Sequence, residues 1–529
     1  MCPVLRNAIR KLNHYAARHG NCDVRANKLP SEVFFMLLNE ICQKHPDNKT
    51  AFIFKDEFTT YGEFRKKVKD WAIFLQAQGV KQGDRVGLFS KNSPDFVAAY
   101  FAVVKAGAIV VPFNFQLIAP EVAYIVKDTG MKILLTKSRL DIDQALLDLG
   151  WEQEVKQFTF EELAVPAGAE LTEYEMSEMS PAAIIYTSGT TGRPKGAMLS
   201  QGNIVHNTQD FMSLTPMKEN DVALTVLPMY HCFGWICSVC CNLYIGATQV
   251  VQETYQFSDA MNLIKKYRIN TMCGVPTMYQ LFVKGAEAED LANFTLFVSG
   301  GAALPLVLYD AFAKKFGMHV MEGYGLSEAS PVVTFNRMHK NKQGSIGAAI
   351  PNVEVKVVDE NFNEVPVGAV GELCVKGPNV MLGYWNRPKE TAWTMRNGWL
   401  HTEDLVYQDE DGWIFIVDRL KDMIISSGEN VYPREVEEVL AAHPDIREAA
   451  VIGIPDKLRG QAICAYIVPE DGCAKDKRMI RKYLLSRVAA YKVPKEFIFC
   501  DHLPRNNTGK VLKNILRERS LNDLVNRKK

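Results

Sequence analysis

The densest chemistry in this 529-residue chain lies between Tyr186 and Gly196, which reads Tyr186-Thr187-Ser188-Gly189-Thr190-Thr191-Gly192-Arg193-Pro194-Lys195-Gly196. Glycines let a backbone turn tightly and bring its N–H groups to an anion, and small hydroxyls add donors without bulk. The stretch has the makings of a phosphate cradle. In a Walker loop the lysine is followed by a hydroxyl that serves a magnesium ion, whereas Lys195 is followed by Gly196. A solvated Gly/Ser/Thr linker fits no better, because Ala183-Ile184-Ile185-Tyr186 and Ala197-Met198-Leu199 make both flanks apolar.

Other stretches carry reactive side chains at suggestive places. Glu322-Gly323-Tyr324-Gly325-Leu326-Ser327-Glu328 follows a strand predicted over 318–322, where open α/β sheets put their ligands. Glutamate stands where a dinucleotide fingerprint needs its third glycine. Taken alone, Glu328 reads as a solvated acid. Val298 to Ala303 ends a strand in small residues, which either admit a flat base against the backbone or make a tight helix-capping turn. His231, four residues before Trp235 in an apolar segment, reads by itself as a core histidine. Cys232, Cys237 and Cys240 have the spacing of a plant-type iron–sulfur site, with Cys241 beside them. Their apolar, helical flanks favour buried thiols acting as small hydrophobes.

Thr187 to Gly196 resembles the signature loop of the adenylate-forming superfamily, which includes acyl-CoA synthetases, peptide-synthetase adenylation domains and firefly luciferase. The resemblance is nearest to fatty acyl-CoA synthetases. It implies that Thr187, Ser188, Gly189, Thr190, Thr191, Gly192 and Lys195 hold the phosphates of ATP. Gly301 and Ala302 would wall the adenine, with Glu322, Gly323, Gly325 and Ser327 around it and Tyr324 stacked on it. The family segment is usually Tyr-Gly-x-Thr-Glu, so Ser327 is a departure that keeps the hydroxyl. By the same resemblance Glu328 holds magnesium and Asp404, in Trp399-Leu400-His401-Thr402-Glu403-Asp404, accepts from both ribose hydroxyls, with Arg419 as second ribose contact. A carboxylate suits a vicinal diol because it offers acceptors on two oxygens. His231 would sit beside the incoming carboxylate, with Trp235, Gly301 and Gly325 lining the acyl pocket. Lys510, in Pro504 to Lys510, would be the cation that reaches the adenylation site; with Thr187, His231 and Glu328 it completes the catalytic set. Gly428, Glu429 and Asn430 would serve the thioester step with coenzyme A, and Lys421 would be a hinge.

These side chains need a frame. Arg85 to Phe89 reads as a strand, Ser93-Pro94 as a helix start, Asp95 to Lys105 as a helix and Ala108 to Pro112 as a second strand, the repeating unit of a parallel sheet. The alternation recurs from 260 to 322, gives way to period-two strands near 353–357 and 371–376, and restarts after 418. The expected fold class is α/β: a large N-terminal adenylation region over 1–418 with parallel-type sheets and a small β subdomain, then a smaller mobile α/β domain over 419–529.

Composition bounds the rest. Lysine plus arginine and aspartate plus glutamate are equal at 61 each, so no global field points to nucleic acid. Twelve irregularly spaced cysteines fit a reducing, cytoplasmic setting. No apolar run reaches the length of a membrane span. Arg6, Arg10, Lys11 and Arg18 alternate with Leu5, Ile9, Leu12 and Ala16 at helical spacing, a solvated terminal helix or else a targeting or membrane-surface one. The whole reads as an ATP-dependent ligase joining a carboxylic acid, fatty of medium or long chain, to coenzyme A through an acyl adenylate, working as monomer or homodimer with magnesium. The alternatives are a carrier-protein-loading ligase, an aryl-CoA ligase and a luciferase-like oxygenase.

Overall fold

Arg85–Phe89 and Ile109–Pro112 are neighbouring parallel strands, and helix Pro94–Lys105 crosses between them. Its start is the expected one: the Ser93 hydroxyl accepts the N–H of Phe96 and Pro94 takes the first helical position. A computed structural model describes residues 36–187, 194–338, 340–426, 429–456, 459–473, 475–505 and 511–526. The basic N-terminal stretch, Ser188 to Gly192, Gly428 and Lys510 lie outside these.

Among the described residues the strands form four sheets. The first adds Ile133–Thr136 and Lys156–Thr159 on one side of this unit and Pro181–Thr187 on the other, all parallel. Its far edge turns antiparallel, with Lys195–Ser200 and then Gly383–Tyr384. The second sheet is parallel through Thr50–Phe54, Thr248–Val251, Val222–Thr225, Thr271–Gly274, Leu296–Ser299 and Val320–Gly325. Antiparallel strands close it at both edges. Continuous apolar runs such as Ile109-Val110-Val111 are what strands covered on both faces require, and they are fully buried. The strand expected to stop at Glu322 runs on to Gly325, so the tyrosine–glycine pair sits on the strand itself.

The period-two segment becomes an antiparallel sheet of Glu354–Val358, Gly371–Lys376, Leu400–Gln408 and Ile414–Arg419. Beyond it, residues 424–526 build a fourth sheet around the long pair Ile446–Asp456 and Gly460–Pro469. Helices Pro433–Ala441 and Lys477–Leu485 cover one face through Val436, Leu440, Ile480 and Leu484. Leu516, on the helix Lys513–Asn526, covers the other with Ile452, Cys464 and Tyr466. Among the described residues no helix is long and apolar enough to cross a membrane.

Candidate active site

Thr187 and Tyr324 lie at the ends of strands that run parallel to a neighbour, the edge at which open α/β sheets bind ligands. Pro181–Thr187 and Lys195–Ser200 pair antiparallel with Tyr186 opposite Gly196 and Thr187 opposite Lys195, so the two strands form a hairpin. A Cβ at Gly196 would lie 2.5 Å from Ile184 and 3.2 Å from the Tyr186 ring, which leaves room there for glycine alone. Asp128 anchors the hairpin: Tyr186 donates to it at 2.6 Å and Arg387 at 2.7 Å. At the hairpin's mouth the Lys195 ammonium stands 5.4 Å from the centroid of the Tyr384 ring, a cation–π distance. Tyr384 in turn donates to Glu328 Oε1 at 2.8 Å. Glu328 is thereby held beside the loop, a single half-buried carboxylate. That suits a hard cation that keeps most of its waters and takes its other oxygens from phosphate.

Tyr324, Asp404 and Arg419, far apart in sequence, meet. Asp404 is buried, and the ladder pairs it directly with Arg419. Its Oδ1 lies 3.1 Å from Arg419 Nε and its Oδ2 accepts the Tyr324 hydroxyl at 2.5 Å. Burial and the adjacent carboxylate both push that phenol well above its ordinary range, so Tyr324 stays a donor. Glycines let the strand approach its neighbours here: a Cβ at Gly325 would lie 2.0 Å from the carbonyl oxygen of Pro331. Glu322 turns inward, its Oε1 accepting the N–H of Leu304 at 3.0 Å, so it braces the loop after Gly301 and Ala302. Burial raises its carboxyl to about 7.

Cys232 joins His231 to Ser327. Its buried sulfur lies 3.2 Å from Ser327 Oγ and 3.9 Å from His231 Nδ1. His231 Nδ1 also accepts the N–H of Phe233 at 3.2 Å, and the Phe233 ring covers Gly300. His231 and the Ser327–Glu328 turn are thus tied through one thiol, which burial raises to about 12 and keeps protonated. Trp235 stands on a π-helix, Gly234–Cys240, and is buried with its ring stacked 3.7 Å from that of Tyr100 and beside Phe96. It packs into the core beneath His231. Cys237, Cys240 and Cys241 are buried in the same helical run.

Lys421 is exposed in a turn where Asp422 and Met423 both donate to the Arg419 carbonyl. Around it the C-terminal segment is latched to Asp418, whose carboxylate caps helix Pro433–Ala441 by accepting the Arg434 N–H at 2.9 Å. Arg517 pairs with Asp422 at 2.6 Å. Glu429 and Asn430 are exposed on a strand paired to Ile424–Ser426.

Two contributors escape a sequence reading. Tyr384 lies 56 positions from the glutamate it holds, and only its run Gly383-Tyr384-Trp385 marks it as an aromatic turn. Glu372 is an ordinary strand position by pattern, yet its side chain is buried and reaches the residue before Asp404.

Residues 38–385 match the family model of AMP-binding enzymes, and residues 435–510 match that of the AMP-binding enzyme C-terminal domain. The chain is 36% identical over 476 residues to a feruloyl-CoA synthase of an Amycolatopsis species, covering 87% of this chain and 94% of the relative. It is 34% identical over 533 residues to a long-chain-fatty-acid–CoA ligase of Bacillus subtilis, covering 93% and 95%. The ATP-bound crystal structure of MatB from Rhodopseudomonas palustris superposes with a TM-score of 0.85 at 31% identity, over 92% of this chain and 99% of that one.

Proposed function

Because the chain belongs to the AMP-binding enzyme family, within the adenylate-forming superfamily and near the fatty acyl-CoA synthetases, we propose that it is an AMP-forming acid–CoA ligase whose acid is a fatty acid of medium or long chain. The observation that carries this reading is the meeting of Tyr324, Asp404 and Arg419 beside Glu328 and the hairpin mouth. A diol acceptor, a ring and a metal carboxylate there match the parts of a nucleotide in order.

In the reaction a carboxylate oxygen of the acid bonds to the α-phosphorus of ATP, the bond to the α–β bridging oxygen breaks, and pyrophosphate leaves. The sulfur of coenzyme A then bonds to the acyl carbon, the anhydride C–O bond breaks, and AMP leaves. Bound magnesium supplies positive charge against the phosphate oxygens, and Glu328 would hold it. Lys195, the loop N–H groups of Ser188 to Gly192 and Lys510 place further positive charge where negative charge accumulates. Asp404 and Arg419 fix the ribose. His231, on the acyl side, orients the entering carboxylate. Gly428, Glu429 and Asn430 serve the thiol's approach after residues 419–529 rotate about Lys421.

The 36% identity to a feruloyl-CoA synthase favours an aryl acid as second reading. A pyrophosphate-release screen over fatty and aryl acids, run with and without coenzyme A, separates the two. Turnover with fatty acids and coenzyme A is the expected outcome. Turnover with aryl acids alone replaces the first reading by the second, and no acid-dependent pyrophosphate release overturns both.

A further inference from the structure

Glu403 is strained. Its φ is +59°, the left-handed region that costs a side-chain-bearing residue roughly 1–2 kcal/mol and that glycine enters freely. Its own side chain makes no hydrogen bond or ion pair among the described residues, so nothing at its tip offsets that cost. What holds it is main chain. The Glu403 N–H donates to Glu372 Oε1 at 3.1 Å, and its carbonyl accepts the N–H of Leu420 at 2.8 Å, next to the proposed hinge. The following residue is Asp404.

Glu372 is built to hold that position. Its side chain is buried, and its other oxygen accepts from His401 Nδ1 at 2.8 Å and Arg396 Nη2 at 3.1 Å. Both donors are fixed: His401 lies on Leu400–Gln408, paired across the ladder with Cys374, and Arg396 packs over the Trp393 ring. Donor atoms of Glu372, Cys374 and His401 lie within 4.8 Å of one another, a spacing a soft cation can bridge. The carboxylate, however, is already engaged by three protein donors, one of them a guanidinium, and reads as a brace rather than a ligand.

We propose that Glu372 is a positioning residue for the ribose: by pinning the strained Glu403 main chain it sets the direction in which Asp404 presents its carboxylate. Glu372 touches no substrate and acts only through Asp404. The inference rests on the nucleotide reading of the site, and its signature is specific to the ribose hydroxyls.

The test is calorimetric binding of ATP and of 2′,3′-dideoxy-ATP to the full-length protein, which needs no knowledge of the acid. Glu372→Gln keeps the shape but turns donors toward His401 and Arg396. It should weaken ATP by about 10-fold to 100-fold, the loss expected when a charged acceptor is removed from a buried bond. The dideoxy nucleotide, which has no diol for Asp404 to grip, should bind both proteins alike. Glu403→Gly added to Glu372→Gln should restore most of the ATP affinity, since glycine holds a positive φ without a brace. Equal losses for the two nucleotides, or no rescue by glycine, overturn the proposal. All titrations are run below the melting temperature of each variant, so a general loss of stability leaves the ratio of the two affinities unchanged and counts against it. A wild-type protein that binds neither nucleotide instead overturns the reading of the site.

Discussion

Burial without a full ion pair raises the carboxyl of Glu322 to about 7, with the Leu304 N–H and the more distant Arg434 pulling the other way. The folded value lies above the ordinary 4.5, so between those two values the folded protein binds more protons than the unfolded one, and stability falls as pH rises. Glu322→Gln keeps the acceptor for Leu304 and removes the titration. Its unfolding free energy should equal the wild type's below about pH 4 and exceed it at pH 8, by roughly 3 kcal/mol at about 1.4 kcal/mol per pH unit. Parallel pH dependences of the two proteins would show that Glu322 is not the group responsible. Trp235 is a second residue whose surroundings decide its effect. Stacked on Tyr100 in the core, it cannot be shrunk without a cavity, so Trp235→Ala should cost about 3–5 kcal/mol of stability. If the ring also walls the acyl pocket, the same variant should shift preference toward bulkier acids in a pyrophosphate-release panel. An unchanged acid profile in the folded variant confines Trp235 to the core.

Elements were legible in proportion to how far their pattern is local. Helix Leu306–Phe316 and strand Gly371–Lys376 stand where periodicity puts them, and the Ser93-Pro94 start is a chemical signal of one turn. Pairing is not local. That Lys195–Ser200 folds back on Pro181–Thr187 depends on which edge is free, and an apolar run does not encode that. The π-helix at Gly234–Cys240 was equally silent, because a segment buried all round has no face to give its period away. Tyr384 and Glu372 reach Glu328 and Glu403 through contacts of this non-local kind. Ser188 to Gly192 and Lys510, whose roles come from resemblance, lie outside the described residues. The strand that carries Tyr324 offers a test at this scale. Its register against Val332–Phe335 shifts between Tyr324 and Gly325, and a Cβ at Gly325 would lie 2.0 Å from the Pro331 carbonyl oxygen. Gly325→Ala must therefore open the pair, with a loss of roughly 3 kcal/mol and displacement of Tyr324 from Asp404. A lowered melting temperature together with weakened ATP binding is expected. Wild-type binding in the variant would mean that the strand end yields without moving Tyr324.

At the scale of the whole molecule, one site has to serve two reactions, and the C-terminal residues are attached in a way that could allow it. Asp418, next to last on the strand Ile414–Arg419, caps helix Pro433–Ala441, and Asp422 holds Arg517 on the last helix. Between these two anchors lies Lys421, exposed, with an N–H that donates to no acceptor among the described residues. A few dihedrals there can absorb a large rotation, as hinges do. Glu403 connects this point to Asp404, the carboxylate proposed for the ribose, through its carbonyl bond to Leu420, so the proposed nucleotide site and the proposed hinge share a backbone contact. Proline at 421 would break no main-chain hydrogen bond among the described residues but would fix φ near −65° and restrict Leu420 as well. Lys421→Pro should therefore leave acyl-adenylate formation within about an order of magnitude while thioester formation falls far more, and Lys421→Ala, which leaves the backbone free, should change both only modestly. The two half-reactions are read separately, by pyrophosphate release and by thioester yield from synthetic adenylate. Equal losses in both half-reactions would place the pivot elsewhere, and a thioester loss as large in the alanine variant as in the proline one would make the lysine charge, not the backbone, the feature that matters.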